Sequence, residues 1–164
     1  MASISVLAVG DPITAGGFLD PVANWINGRT PALGTSSAAG TQTSGTELKD
    51  TGIGDVTLTV SDATVWYELT YNPNMVSSNA NNRADVKIRD GGASSPTNTS
   101  TLLAWSTGTN PGAGANFAVT VTALAVVQFT VGTHVVAPFY AMGNGTGGCN
   151  PQALARFLSI VPIS

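Results

Sequence analysis

The stretch DVTLTV (55–60), followed after a short turn by ATVWYELTY (63–71), decides the fold of this chain. In DVTLTV, valine and leucine alternate with threonine, which is the period of two that predicts a half-buried β-strand. The second stretch alternates in the same way, with Tyr67 and Leu69 on one face and Glu68 on the other. Two adjacent strands with one apolar face each predict a sheet that packs on a second layer.

Sequences of the same kind continue toward the C-terminus, separated by loops rich in Gly, Asn, Ser and Pro. The further strand candidates are ADVKIRD (84–90), TLLAWST (101–107), NFAVTVTAL (116–124), AVVQFTV (125–131), THVVAPFYAM (133–142) and the segment 153–163. About eight strands at this spacing are typical of a sandwich or jelly roll. We therefore predict an all-β fold, an antiparallel β-sandwich or jelly roll, over residues 47–164.

Residues 1–46 lack this alternation and are predicted to form an N-terminal arm, a short helix and a linker. The helical pattern begins at Asp20, a favoured cap, continues through Pro21 and ends at Gly28, a favoured stop. A helix of about two turns is not stable alone in water, so it must dock on another surface. We expect this segment to anchor the protein to a larger particle through Ile13, Phe18, Leu19, Val22, Trp25 and Ile26.

Charge is scarce in this chain. Only 9% of the residues are charged and 43% are hydrophobic, whereas an ordinary domain has about 25% charged residues. The net charge of −3 argues against a nucleic-acid partner, which requires a basic face. No apolar stretch is long enough to span a membrane. Cys149 is the only cysteine and no signal sequence is evident, so we expect folding in the cytoplasm of a host cell without disulfides.

Two late segments, 135–142 and 154–163, are apolar on both faces. Strands without a polar face are covered on both sides, and in a small antiparallel sandwich the second cover is most simply another subunit. A closed cyclic oligomer follows from this reasoning. We predict that its interface contains Val136, Tyr140, Phe157, Ile160 and Val161.

Catalytic constellations are not apparent in the sequence. His134 is the only histidine, so a multi-histidine metal site is excluded. His134 and Cys149 are a conceivable base and nucleophile, but no third residue is placed to orient the histidine. Asp85 and Asp90 flank a strand, where aspartates usually cap or turn the chain.

The loop GNGTGG (143–148) formally contains GxGxxG. The chain after it is too short for the helix, second strand and acidic residue of a dinucleotide site. Exposed aromatic side chains could stack on sugars, but at alternating strand positions most are expected in the core. We therefore predict no catalytic residue, no cofactor and no metal site, and we expect that the protein is not an enzyme.

Several motifs, in this order along the chain, resemble those of tailed-phage virion proteins. GDPITAGGFLDPVANWING (10–28) resembles the segment that opens many of these proteins. The β-domain resembles the jelly-roll modules of actinobacteriophage minor tail and head-surface proteins through WYELTYN (66–72), VKIRDGG (86–92), GTH (132–134) and FLSIVPI (157–163). The C-terminal half also resembles C1q/TNF-like jelly rolls, which are trimers.

The resemblance implies a non-enzymatic virion structural protein, a homotrimer that decorates or cements a phage capsid. Its partners would be sister copies and the major capsid protein or another virion protein, and its location would be the virion surface. The absence of a shaft sequence favours the head over the tail. The alternatives are a minor tail or tail-tip protein and an adhesin module that binds a host surface glycan. A cell-wall hydrolase is disfavoured because the catalytic constellation is missing.

Overall fold

The computed structural model describes residues 31–78, 82–109, 117–144 and 147–163. All regular secondary structure within these residues is β-strand. The strands are β1 (Ala32–Ser36), β2 (Leu48–Lys49), β3 (Val56–Val60), β4 (Trp66–Tyr71), β5 (Asn74–Ser77), β6 (Arg83–Asp90), β7 (Thr101–Thr109), β8 (Phe117–Thr120), β9 (Ala123–Gln128), β10 (Gly132–Asn144), β11 (Cys149–Pro151) and β12 (Arg156–Pro162). The predicted helix and the anchor residues from Ile13 to Ile26 lie outside the described residues.

The strands form three antiparallel sheets. Sheet I has the order β1-β12-β4-β9, sheet II has the order β2-β10-β6-β7 with β3 also paired to β10, and the small sheet III has the order β11-β5-β8. Ala32–Ser36, predicted as part of a linker, is β1 and pairs with β12 from Ala32 opposite Ile160 to Ser36 opposite Arg156. The predicted all-β antiparallel sandwich is confirmed.

The hydrophobic core contains the inward faces of these sheets. In β3 the predicted alternation is observed, with Val56, Leu58 and Val60 buried and the two threonines exposed. The largest fully buried apolar or aromatic side chains are Tyr67, Tyr71, Tyr140, Leu69, Met75, Ile88, Leu158, Ile160, Val60, Val86 and Val136. Each large aliphatic side chain buried in this way stabilises the fold by about 1.5–3 kcal/mol.

The second face of β10 is covered by its own chain, which corrects the expectation that a sister subunit covers it. Phe139 is only 3% exposed. The centre of the Phe139 ring lies 5.9 Å from the ammonium of Lys49 and 6.0 Å from the guanidinium of Arg89. The segment that contains β2 pairs with β10 at this point, with Lys49 opposite Phe139. Long cationic side chains therefore provide the apolar cover.

The five predicted interface residues are placed differently by the fold. Val136, Tyr140 and Ile160 are at most 1% exposed and belong to the core of the subunit itself. They are inaccessible to a partner because they point between the sheets. Phe157 is 36% exposed and Val161 is half-buried, and both point to the outer side of sheet I. The interface role of these two residues stays a prediction.

Candidate functional site

The outer side of sheet I is an apolar face. Ten large hydrophobic side chains of the described residues are exposed. The alternation and register of the strands place five of them on this one surface, and the hydrogen bond from the backbone N–H of Ile163 to the carbonyl of Trp66 places a sixth there. The six, which we call the apolar face, are Leu33, Trp66, Leu124, Val126, Phe157 and Ile163. Exposed apolar surface gathered in one place marks an interaction site rather than ordinary solvent-exposed surface.

The strand register determines how the members of the apolar face are arranged. Leu33 lies opposite Ser159, and Val126 lies opposite Glu68, which in turn lies opposite Val161. Glu68 is the ionisable side chain on this face, and it is half-buried between apolar neighbours. The apolar face spans four strands, which is about 14 Å across the sheet, and about six residues along each strand, which is about 20 Å.

The outer side of sheet II is charged, in contrast to the apolar face. Glu47 forms ion pairs with both Lys87 and Arg89, and Arg89 also donates to the carbonyl of Ser100 at 2.7 Å. Burial raises the pKa of Glu47, but hydrogen bonds from Arg89 and Lys87, together with their charges, lower it by more. Trp105 is exposed beside this cluster, opposite Lys87 in the register. The outer side of sheet I is therefore apolar, whereas the outer side of sheet II carries paired charges.

A fully buried ion pair joins the beginning of β12 to the segment after β2. Arg156 Nε donates to Asp50 Oδ2 at 2.6 Å and Arg156 Nη2 donates to Asp50 Oδ1 at 2.7 Å. Both side chains are 0% exposed. Tyr71 donates its hydroxyl to Asp50 at 2.9 Å, and burial and the adjacent carboxylate hold the pKa of Tyr71 well above its usual value. The pair joins two segments that are 106 positions apart in the chain.

Sequence reasoning missed this pair, although one signal was present. Arg156 begins an apolar strand at a position that alternates in phase with Leu158 and Ile160, both of which are inward. A cation at an inward position requires a buried anion, because burial of an unpaired charge is very costly. The sequence does not identify that anion, since Asp50 and Asp55 both lie near the same turn. In the structure Asp55 pairs with Lys49 on the surface at 2.7 Å instead.

His134 and Cys149 do not form the pair considered from the sequence. His134 lies near the beginning of β10, opposite Leu58, whereas Cys149 lies in β11, opposite Ser77. Cys149 is fully buried, and burial raises the pKa of its thiol to about 12. His134 instead contacts Asp90 and Thr130. Asp90, expected from the sequence to cap or turn the chain, lies 2.8 Å from His134 Nδ1 and orients the imidazole.

The two aspartates of β6 have separate partners. Asp85 pairs with Arg83 at 3.0 Å and Asp90 contacts His134, so they do not form a carboxylate pair. No three His, Cys, Asp or Glu side chains of the described residues are grouped so that they could hold a metal ion. No helix in the same part of the chain is long and apolar enough to cross a membrane.

The fold is similar to that of solved structures. Eiger TNF from S. frugiperda has a TM-score of 0.56 and 11% identity, and the match covers 83% of this chain and 93% of that one. Murine APRIL has a TM-score of 0.43 and 8% identity over 82% and 100% of the two chains. The globular domain of zebrafish complement 1qA has a TM-score of 0.43 and 14% identity over 81% and 96%.

These similarities concern the fold. The similarity to Eiger TNF confirms a TNF-like jelly-roll fold, the kind of fold that the C-terminal half resembles in sequence. No family model matches the chain, and no curated protein matches it. The solved structures named above lend no support to a phage origin, which stays a prediction.

Proposed function

We propose that this chain is a non-enzymatic structural protein of a virion surface that acts as a homotrimer, with the apolar face against sister copies. The observation that carries the proposal is the concentration of six exposed hydrophobic side chains on the outer side of sheet I. The occupant is a second copy of the chain, because the face has a single ionisable group, Glu68, and so offers little to a charged partner.

The apolar face is large enough to contribute to association. An area of roughly 300 Å² on each subunit, at about 25 cal/mol per Å² of apolar surface, contributes at most about 7 kcal/mol for every subunit whose face is covered. Association costs an estimated 4–15 kcal/mol in lost freedom. The area does not distinguish a pair from a ring, and the choice of a trimer rests on the resemblance of the C-terminal half to C1q/TNF-like jelly rolls, which are trimers.

The virion role rests on the resemblance of residues 10–28 and of the β-domain motifs to tailed-phage proteins. In this proposal the apolar face surrounds the symmetry axis, and the charged outer side of sheet II faces solvent. The part of residues 1–46 that precedes β1 holds each subunit to the major capsid protein or to another virion protein. Three linked anchors bind far more tightly than one, because the second and third attach at high effective concentration.

The first test is the mass of the assembly in solution, measured by light scattering. Leu124→Asp places a charge on the apolar face and should convert the trimer to a monomer with an unchanged circular dichroism spectrum. Leu102→Asp is the matched control, because Leu102 is also an exposed leucine, 47% against 59% for Leu124, but lies in sheet II. A monomeric wild type, or a trimer that survives Leu124→Asp, would refute the role of the apolar face. A dimeric wild type would refute the three-fold symmetry.

The second test is attachment to phage particles. Deletion of residues 1–30 should leave a folded trimer that no longer binds particles in a co-sedimentation assay. Attachment of the truncated trimer at wild-type occupancy would contradict the anchor assignment. Attachment of neither form would contradict the virion role while leaving the trimer intact.

A glycan-binding adhesin is the second candidate, and one observation favours it. Trp105 is 55% exposed on the solvent-facing side of sheet II, and Lys87 lies opposite it in the register. An exposed indole beside hydrogen-bond donors can stack on a sugar ring and orient it. A glycan array should then give signals that Trp105→Ala abolishes and Trp66→Ala retains. An array without signals would remove this candidate.

A further inference from the structure

Glu68 carries a negative charge in the middle of the apolar face, and no described residue balances it. In β4 it lies opposite Val126 of β9 and Val161 of β12, and it is half-buried. No described residue forms a hydrogen bond or an ion pair with its carboxylate. The charge is therefore stabilised in the separate subunit by the water that still reaches it.

The strands packed beside β4 present no other charge to Glu68. The outward positions of β9, β12 and β1 carry only aliphatic, aromatic, hydroxyl or amide side chains. Along β4 itself, Trp66 and Thr70 flank Glu68 on the same side. No titratable or charged group of the described residues therefore faces Glu68 from a neighbouring strand.

The cations that the structure describes are engaged elsewhere in the subunit. Four carboxylates hold them, in the pairs Lys49–Asp55, Arg83–Asp85, Lys87–Glu47, Arg89–Glu47 and Arg156–Asp50. A sister copy with the same pairs brings no spare positive charge from these residues to the apolar face. Arg29, the remaining cation of the sequence, lies outside the described residues and is tested below.

Removal of water from the Glu68 carboxylate has a defined chemical result. Burial of an unpaired charge is so costly that the group is neutralised instead. An exposed glutamate is ionised above about pH 5, so each Glu68 must take up a proton when a sister copy covers it. The assembled state then holds more protons than the separate subunits.

We propose that Glu68 couples assembly of the trimer to proton uptake, so that the subunits associate in mildly acidic surroundings and separate as the pH rises. The inference rests on the proposed function, because it takes a sister copy as the cover of the apolar face. Since the assembled state binds more protons, the association constant rises as the pH falls, by up to about tenfold per pH unit for each covered Glu68. Three covered copies give up to about 1,000-fold per pH unit.

The test is sedimentation equilibrium of the full chain at several pH values between about 6 and 8, where exposed carboxyl groups stay ionised. The association constant of the wild-type trimer should fall at least about tenfold per unit rise in pH. Glu68→Gln has nearly the same shape without the charge. It should assemble more tightly than the wild type at about pH 8 and lose this dependence.

Three comparisons assign the effect to Glu68. Histidine also titrates in this range, but His134 is present in both proteins, so the difference between them belongs to Glu68. Asp55→Asn is the matched control, because Asp55 pairs with Lys49 on the surface and its loss changes the net charge equally. Asp55→Asn and Arg29→Gln should both leave the pH dependence of assembly unchanged.

The outcomes separate this inference from the proposed function on which it rests. A trimer whose association constant does not change with pH, or one that Glu68→Gln weakens, would overturn the inference and leave the trimer intact. Loss of the pH dependence in Arg29→Gln would overturn it as well, since a cation would then balance the carboxylate. Monomers of both the wild type and Glu68→Gln at every pH would refute the proposed assembly and the inference with it.

Discussion

Replacement of Arg156 by methionine should destabilise the protein by about 3–5 kcal/mol, because it leaves a carboxylate buried without its cation. Asp50 and Arg156 are both 0% exposed and are joined by two hydrogen bonds of 2.6 and 2.7 Å. After the substitution, Asp50 keeps the Tyr71 hydroxyl and a long contact of 3.2 Å from the backbone N–H of Gly52. Two neutral donors cannot replace a guanidinium. For a chain of this length the melting temperature should fall by about 6–20 °C.

The assay is urea unfolding followed by tryptophan fluorescence at one fixed subunit concentration, since association would otherwise change the apparent stability. The double variant Asp50→Leu/Arg156→Met removes both charges and should recover most of the loss. Lys49→Met breaks the more exposed pair with Asp55 and should cost about 1 kcal/mol or less. A loss below about 1 kcal/mol in Arg156→Met, or a double variant no more stable than the single one, would refute this reasoning.

Three further substitutions or reagents test other parts of the fold. Glu47→Gln should weaken the pH dependence of stability below pH 4.5, the usual pKa of a glutamate carboxyl group. The pKa of Glu47 is lowered in the folded state, so the ionised carboxylate stabilises the wild type. The wild type loses this stabilisation as the pH falls through the pKa of Glu47 in the folded protein. Thermal melts over an acidic pH series measure it, and parallel curves for both proteins would contradict it. Native Cys149 should react with iodoacetamide at least about 100-fold more slowly than the urea-unfolded chain, because burial raises its pKa to about 12; comparable rates would contradict its burial. Gly91→Ala should cost about 1–3 kcal/mol, because a Cβ there would lie 2.2 Å from the backbone oxygen of Ser94, and an unchanged urea midpoint would count against that close approach.

The architecture of the sandwich follows from local sequence. The alternation in Val56–Val60 and in Trp66–Tyr71 predicts strands, and it also predicts which residues are buried. Binary alternation is a property of neighbouring residues, so it needs no knowledge of the partner strand. Large parts of sheets I and II could therefore be predicted before their pairing was known.

The short strands could not be predicted in this way. Asn74–Ser77 lies within a stretch interpreted as a polar loop, and Leu48–Lys49 has only two residues. Ala32–Ser36 has one large apolar residue, Leu33, which points outward. These segments are strands because a distant partner completes their hydrogen bonds, and a period cannot be recognised over so few residues.

The polar clusters were missed for a related reason. His134 and Asp90 are 44 positions apart, and Arg156 and Asp50 are 106 apart. No spacing rule connects such residues, and only the register of the sheets brings them together. The second apolar side of β12 was recognised from the sequence, but the outward residues of β9, Leu124 among them, were not.

The pairing of β1 with β12 has a consequence for how the protein is made. Ala32 lies opposite Ile160, so a growing polypeptide cannot complete sheet I until β12 has left the ribosome. Until then β4 lacks one of its neighbouring strands, so its apolar side chains are exposed and the nascent chain can aggregate. Synthesis in bulk should therefore be sensitive to the supply of chaperones, most of all for variants truncated before Arg156.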